Sequence, residues 1–166
     1  MSSFNKKEVE DLLYGIRANS YNRFPLFYQY RQFMTNSQYW YGLRIAYTDS
    51  DDLYPYSHMV KDCFYSNRQC RHNFMNNEER EYLQELPDRI TIYRGMTVDE
   101  QHSRRYGVSW SLSRDVAEFF ATKYARNHAT ENLQKVVHTL TVPKYKILGY
   151  CNDRKEQEVI YLPHLI

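Results

Sequence analysis

Cysteine is scarce and irregular in this chain: Cys63, Cys70 and Cys151 are odd in number and lack CxxC spacing. Neither a disulfide framework nor a zinc site is indicated, so no metal is expected and a reducing compartment is the default. Glycine and proline are few, five of each in 166 residues, and there is no internal repeat or low-complexity linker. Long apolar runs are missing too. Met1 to Lys7 has no apolar core of signal-peptide type, and no stretch approaches the length of a membrane span. The expectation is a cytoplasmic protein without a membrane partner, or one delivered into a target cell's cytoplasm by another route. Charge of one sign is also lacking: 22 Lys and Arg face 20 Asp and Glu, and a net +2 does not argue for nucleic acid by itself.

What is abundant is tyrosine, 17 residues. Rings of this kind pack while their hydroxyls stay on water or on a polar ligand, which suits a polar, ring-containing ligand and equally suits mixed packing. With 42% apolar and 25% charged residues, the composition is that of a folded globular protein. Its length fits one domain spanning residues 1–166. From Gln101 to Lys135, Arg104, Arg105, Arg114, Lys123, Arg126 and Lys135 outnumber Asp115, Glu118 and Glu131, a surplus compatible with an anionic ligand.

Residues 1–87 read as a helical N-terminal layer. Ser3 or Asn5 caps a helix with Val9, Leu12, Leu13 and Ile16 on one face. Tyr21 to Phe33 is aromatic and arginine-rich, with Pro25 expected to break it. Further helices are expected from Ser37 through Ala46, from Tyr56 to Tyr65, and from Asn76, where Asn76 and Glu79 are spaced like a capping box and Pro87 is the stop. Residues 88–166 change character. Arg89–Arg94, Val108–Leu112, Val136–Val142, Lys144–Tyr150 and Glu156–Leu162 read as strands. One helix, capped at Ser113 and carrying Val116, Ala117, Phe120 and Tyr124 inward, separates them. So few helices among so many strands predict an α+β fold with a mostly antiparallel core rather than a doubly wound sheet.

Three strands carry polar groups where apolar ones are expected. Alternation places Glu156 and Glu158 on one side of the last strand, and two like charges held so close need a cation, a donor or a role. A solvated strand end bracketed by Arg154 and Lys155 would also account for them. In Ile90-Thr91-Ile92-Tyr93-Arg94-Gly95, Arg94 falls on the face of Ile90 and Ile92 and must meet an anion, which a structural ion pair would supply as well as a ligand. Gly95 lets backbone approach closely. Ser109 and Ser111 share one face of their strand, opposite Val108, Trp110 and Leu112, and need polar partners there or from the chain itself.

In order and spacing these elements resemble the mono-ADP-ribosyltransferases of the Arg-Ser-Glu, cholera-toxin-like group. The motifs stand as Tyr93-Arg94-Gly95, Ser109-Trp110-Ser111 followed by a helix, and Glu156-Gln157-Glu158, covering Asp88 to Leu162. One departure is Trp110, where the family usually has Thr; alternation turns it from the carboxylate face, so packing rather than chemistry should change. The segment from Tyr150 to Glu156, which precedes the catalytic pair and in the family recognises the acceptor, is short.

The resemblance implies two packed sheets, and NAD as substrate: the nicotinamide–ribose bond is cleaved and ADP-ribose passes to a macromolecular acceptor. It implies that Glu158 stabilises the oxocarbenium-like transition state, that Ser109 holds Glu158, and that Arg94 grips the phosphates. The Gly95 backbone, beside Tyr93, would bond the nicotinamide amide. Ser111 lines the same face, and Phe119, Phe120 or Tyr106 would stack on the ring. Glu156 would orient and deprotonate the acceptor, a protein arginine or an amino group of an RNA or DNA base. Compact enzymes of this kind include bacterial and phage effectors and toxins of toxin-antitoxin systems, with an antitoxin or inhibitor protein as partner. Two other readings use the same residues: an NAD glycohydrolase with water as acceptor, and a binding module with a dead transferase core. In the latter, Tyr28, Tyr30, Arg31 and Phe33 form a stacking surface for RNA or protein.

Overall fold

A computed structural model describes residues 4–122 and 133–163. The chain divides into two units, Met1–Asn76 and Asn77–Ile166. Among the described residues no helix is long and apolar enough to cross a membrane.

The first unit is helical: α1 (Lys6–Leu13), α2 (Arg23–Tyr30), a 3-10 turn at Arg31–Phe33, α3 (Asn36–Thr48) and α4 (Ser57–Phe64). Asn5 caps α1 by accepting the Glu8 N–H; Ser3 lies outside the described residues. Pro25 does not break its segment. It stands in the first turn of α2, where a backbone N–H has no intrahelical acceptor and proline costs nothing. The α3 helix begins with a reciprocal capping box: Gln38 N donates to Thr35 Oγ1 at 3.2 Å, and Thr35 N donates to Gln38 Oε1 at 3.0 Å. Its apolar face buries Tyr39, Trp40, Leu43 and Ala46, joined by Phe24 and Phe27 of α2 and by Val9 and Leu13 of α1. Gly42 allows this approach, since a methyl there would lie 3.1 Å from Val9 Cγ1 and 3.2 Å from the Phe27 ring. Buried polar tips find backbone acceptors: Tyr39 Oη donates to Cys63 O at 2.8 Å, and Trp40 Nε1 to Gln69 O at 2.9 Å. Of the residues expected to form a stacking surface, Tyr30 and Phe33 are exposed, and the Arg31 guanidinium lies 3.6 Å from the centroid of the Tyr28 ring.

The second unit begins with α5 (Asn77–Glu85) and continues through β1 (Arg89–Thr97), α6 (Val98–Ser103), β2 (Ser109–Ser111), α7 (Arg114–Thr122), β3 (Lys135–Pro143), β4 (Gly149–Cys151) and β5 (Glu158–Ile160). The boundary falls before α5 rather than at Asp88, because α5 packs on β4. Tyr82 stacks on Tyr150 with centroids 4.8 Å apart, and the buried Glu79 carboxylate accepts the Asn152 N–H at 3.2 Å. Burial, followed by the neighbouring Tyr82 and Glu79, pushes the Tyr150 hydroxyl up to about 12. Lys144 Nζ donates to the Gln84 and Leu86 carbonyls at the end of α5, where a cation suits the helix dipole.

Every strand pair is antiparallel, in the order β3-β1-β2-β5-β4. The fold is therefore α+β. The expected two packed sheets are, among the described residues, one five-stranded sheet, because β2 pairs on both edges and joins β1 to β5. Three strands are shorter than expected, β2 by one residue at each end. Lys144–Lys146 is a 3-10 turn closed by Ile147 N–H to Lys144 O at 3.0 Å, and strand geometry resumes only at Gly149. The last strand starts at Glu158, for the reason given below. The expected cap at Ser113 accepts the Val116 N–H of α7, on which Ala117 is buried and Phe120 half-buried; Tyr124 lies outside the described residues.

Candidate active site

The register aligns Thr139, Tyr93, Ser111, Glu158 and Cys151 in one row across five strands. Residues directly opposite in antiparallel pairs share a face, so Tyr93, Ser111 and Glu158 project to the same side. Gly95 and Ser109, two positions along their strands, project there as well. Both Ser111 and Glu158 are buried, the carboxylate residue at 8% exposure. A sheet built only for packing would place an apolar side chain there, since a buried carboxylate must be compensated by donors or cations.

Ser111 fastens the motif that Glu158 closes. Its hydroxyl donates to Glu156 O at 2.7 Å and accepts the Ser113 N–H at 2.9 Å, while Leu112 N–H donates to Gln157 O at 3.0 Å. Ser111 rather than Ser109 thus faces Glu158 and bonds to the carboxylate segment; the register partner of Ser109 is Ile160.

Glu156 departs from the strand expectation. Lys155 and Gln157 stand at φ 56° and 47°, so the chain from Glu156 to Glu158 is not extended and alternation does not put the two carboxylates on one face. The turn is held from below: Lys155 N–H reaches Asn152 O at 3.0 Å, Gln157 N–H reaches Asn152 Oδ1 at 3.1 Å, and Asn152 N–H is bound by Glu79. Two non-glycine residues in left-handed conformation beside a buried carboxylate store strain that surrounding contacts must over-determine. Arg154 and Lys155 are exposed on this turn, and Glu156 is half-buried.

Arg94 alternates with Tyr93 and so projects to the other face, where its register partner is His138. Its guanidinium makes a two-point ion pair with Glu100, Nε to Oε1 at 2.7 Å and Nη2 to Oε2 at 3.3 Å, and Nη1 donates to Ser109 O at 2.9 Å. Trp110 lies on this face as alternation required. Tyr106 stacks on His138 with centroids 5.2 Å apart and meets Trp110 edge-on at 5.5 Å, and its hydroxyl is 3.3 Å from His138 Nε2. Tyr106 is therefore remote from the face of Glu158.

The close approach that Gly95 permits is taken by helix α7. A methyl on Gly95 would collide with Ala117 O and fall 2.8 Å from Ala121 N. Phe119 and Phe120 belong to this helix, on the side of Tyr93 and Glu158, with Phe119 exposed and the two rings edge-on at 5.6 Å. A depression of about 550 Å3 lined by Asp88, Arg89, Pro143, Lys144 and Tyr145 opens at the far end of the β1–β3 pair and contains none of these residues.

Sequence reasoning missed Glu100, Gly107, His138, Glu79 and Asn152. Glu100 had a signal: Thr97-x-x-Glu100 is a helix-start pattern, and Thr97 Oγ1 accepts the Glu100 N–H at 3.1 Å. The others are placed by strand pairing and packing that no local pattern announces. Set against known proteins, the chain matches no family model, no curated protein and no solved structure.

Proposed function

We propose that the chain is an NAD-dependent mono-ADP-ribosyltransferase. The observation that carries the reading is the register pairing of Ser111 with a buried Glu158 on adjacent antiparallel strands, with the Ser111 hydroxyl fastening the Glu156 turn and a helix following directly. In this reading Glu158 stabilises the positive charge that develops on the ribose carbon as nicotinamide leaves with the bonding electron pair. Glu156, on its strained and partly open turn, orients the acceptor and takes its proton as the new bond forms at that carbon. A protein arginine is the acceptor we favour, with an RNA or DNA base next and water last. The exposed Arg154 and Lys155 beside Glu156 suit an acidic surface around the acceptor. Arg94, which the resemblance gave to the phosphates of NAD, projects to the face opposite Glu158 and has three of its five N–H donors engaged by Glu100 and Ser109 O, so in this reading it holds the serine strand rather than the substrate. Phe119 and Phe120 are the aromatics we assign to the nicotinamide, and we place the activity in the cytoplasm of the producing or the targeted cell.

The test is incubation with adenylate-labelled NAD and cell lysate, with nicotinamide release measured in parallel and the products split between protease and nuclease treatment. Nicotinamide release with protease-sensitive label is the expected result. Label that survives protease and is lost to nuclease reassigns the acceptor, and free ADP-ribose alone reassigns it to water. A Glu158→Gln variant should lose roughly 100-fold or more in rate; full transfer by that variant overturns the assignment.

A further inference from the structure

We propose that Glu100 is a positioning residue of this site, acting through Arg94 and together with Gly107 to hold the serine strand β2 against β1; this rests on the transferase reading above. Among the described residues the register links β1 to β2 through one pair, Tyr93 with Ser111. By contrast, nine consecutive pairs bind β1 to β3. So slight a ladder does not by itself fix where Ser111 and Glu158 stand relative to Tyr93, Gly95 and helix α7.

Three bonds around one carboxylate supply what the ladder lacks. Glu100 Oε1 accepts both Arg94 Nε, at 2.7 Å, and the Gly107 N–H, at 2.8 Å; Oε2 accepts Arg94 Nη2 at 3.3 Å. The carboxylate therefore joins β1, α6 and the segment that leads into β2. Arg94 carries the connection onward, since Nη1 donates to the carbonyl of Ser109 itself. Gly107 completes the clasp by being small: a methyl there would collide with Arg94 Nη2 and lie 2.7 Å from Cζ. Its φ is not positive, so an alanine would suit the backbone, and what excludes it is the guanidinium. The Arg94 and Glu100 side chains are only 22% and 20% exposed, so solvent screens the pair weakly. Glu100 is thus a group that touches no substrate yet sets the geometry of groups that do, and small displacements of such groups are costly to rate.

The experiment uses the full chain and three variants, Glu100→Gln, Gly107→Ala and Arg94→Lys. Steady-state nicotinamide release gives kcat and KM for NAD, thermal unfolding monitors the fold, and the Arg94 Nε–H signal of 15N-arginine-labelled protein, assigned by its loss in Arg94→Lys, reports the clasp directly. Glu100→Gln and Gly107→Ala are each expected to lower kcat by about 10- to 100-fold, with KM changed by less than about threefold, in protein that still unfolds cooperatively. The Arg94 Nε–H resonance should be protected from solvent exchange in the parent and exchange-broadened in both variants. Either variant retaining kcat within about twofold overturns the proposal, as does an unchanged Arg94 resonance. Should the parent itself release no nicotinamide, the transferase reading falls, and the resonance alone then decides whether Glu100 holds Arg94.

Discussion

The two units of this chain dispose of their buried polar atoms in opposite ways. In Met1–Asn76 the buried polar groups include the ring tips of Tyr39 and Trp40 and the side chains of Gln38 and Ser50, all uncharged, and each donates to a backbone carbonyl: Tyr39 Oη to Cys63 O, Trp40 Nε1 to Gln69 O, Gln38 Nε2 to Asn5 O and Ser50 Oγ to Ala46 O. In Asn77–Ile166 the buried polar groups include two carboxylates, Glu79 and Glu158, with the Arg94–Glu100 pair only partly covered. A ring with a polar tip brings large apolar area inside at the cost of one hydrogen bond. A carboxylate brings little area and a large desolvation penalty. The helical unit thus spends its polar atoms on its own shape, whereas the sheet unit retains groups that packing alone would discard.

That contrast can be broken by substitution. The largest effect is expected at Trp40, fully buried in the helical unit: Trp40→Ala should cost about 3–5 kcal/mol of unfolding free energy, measured by urea denaturation. A loss below about 1 kcal/mol would mean that this ring does not organise the unit. In the sheet unit, on the transferase reading, Glu158→Gln should do the reverse, lowering nicotinamide release roughly 100-fold or more while costing less unfolding free energy than Trp40→Ala, since the substitution keeps the side chain's shape. Next comes Gly95→Ala, expected to destabilise by about 1–3 kcal/mol because the new methyl meets the backbone of α7; differential scanning calorimetry would register it as a lowered Tm. Thr35→Ala removes half of the α3 capping box and should cost about 1 kcal/mol in the same assay.

The smallest effect sharpens the comparison by pH. Burial, then the bond to Glu10, pushes the Tyr41 hydroxyl up to about 12, and burial is the first cause of the same rise at Tyr150. A tyrosine in the unfolded chain titrates near 10. The folded state therefore holds the proton longer, so the associated stability is present in full below about pH 10 and is lost as pH rises toward 12. The denaturation midpoint should fall over that window, and Tyr41→Phe should flatten the fall. A midpoint that holds steady from pH 10 to 12 would show that these hydroxyls ionise as freely folded as unfolded.

Much of this architecture was legible in the residues. Spacing located α1, α3 and α4 to within a turn, and alternation located β1 and β3, because long periodic segments report which face is buried; Ile16, expected on the apolar face of α1, instead lies past the end of that helix and is fully exposed. Alternation also sent Trp110 away from Ser109 and Ser111 correctly. It failed at Gln157, where a left-handed residue interrupts the strand, since no local pattern in Lys155-Glu156-Gln157 marks a non-glycine at positive φ. It failed in another sense at Gly95. The close approach was foreseen but the neighbour was not, because helix α7 arrives from a later part of the chain.

Taken alone, the sequence determined the α+β class, a first cap at Ser3 or Asn5 and another at Ser113, the inward turn of Arg94 and the sharing of one face by Ser109 and Ser111. All of these follow from interactions within a few residues, for which side-chain period and capping chemistry suffice. Tertiary structure alone decided that the strands form one sheet, that Tyr93 and Ser111 stand in a row with Glu158, that Glu100 receives Arg94, and that Glu79 steadies the turn bearing Glu156. Strand register and ion-pair partners join segments tens of residues apart. They are chosen by how whole faces bury together, and a one-residue shift that leaves every local preference intact would turn Glu158 to the other side of the sheet.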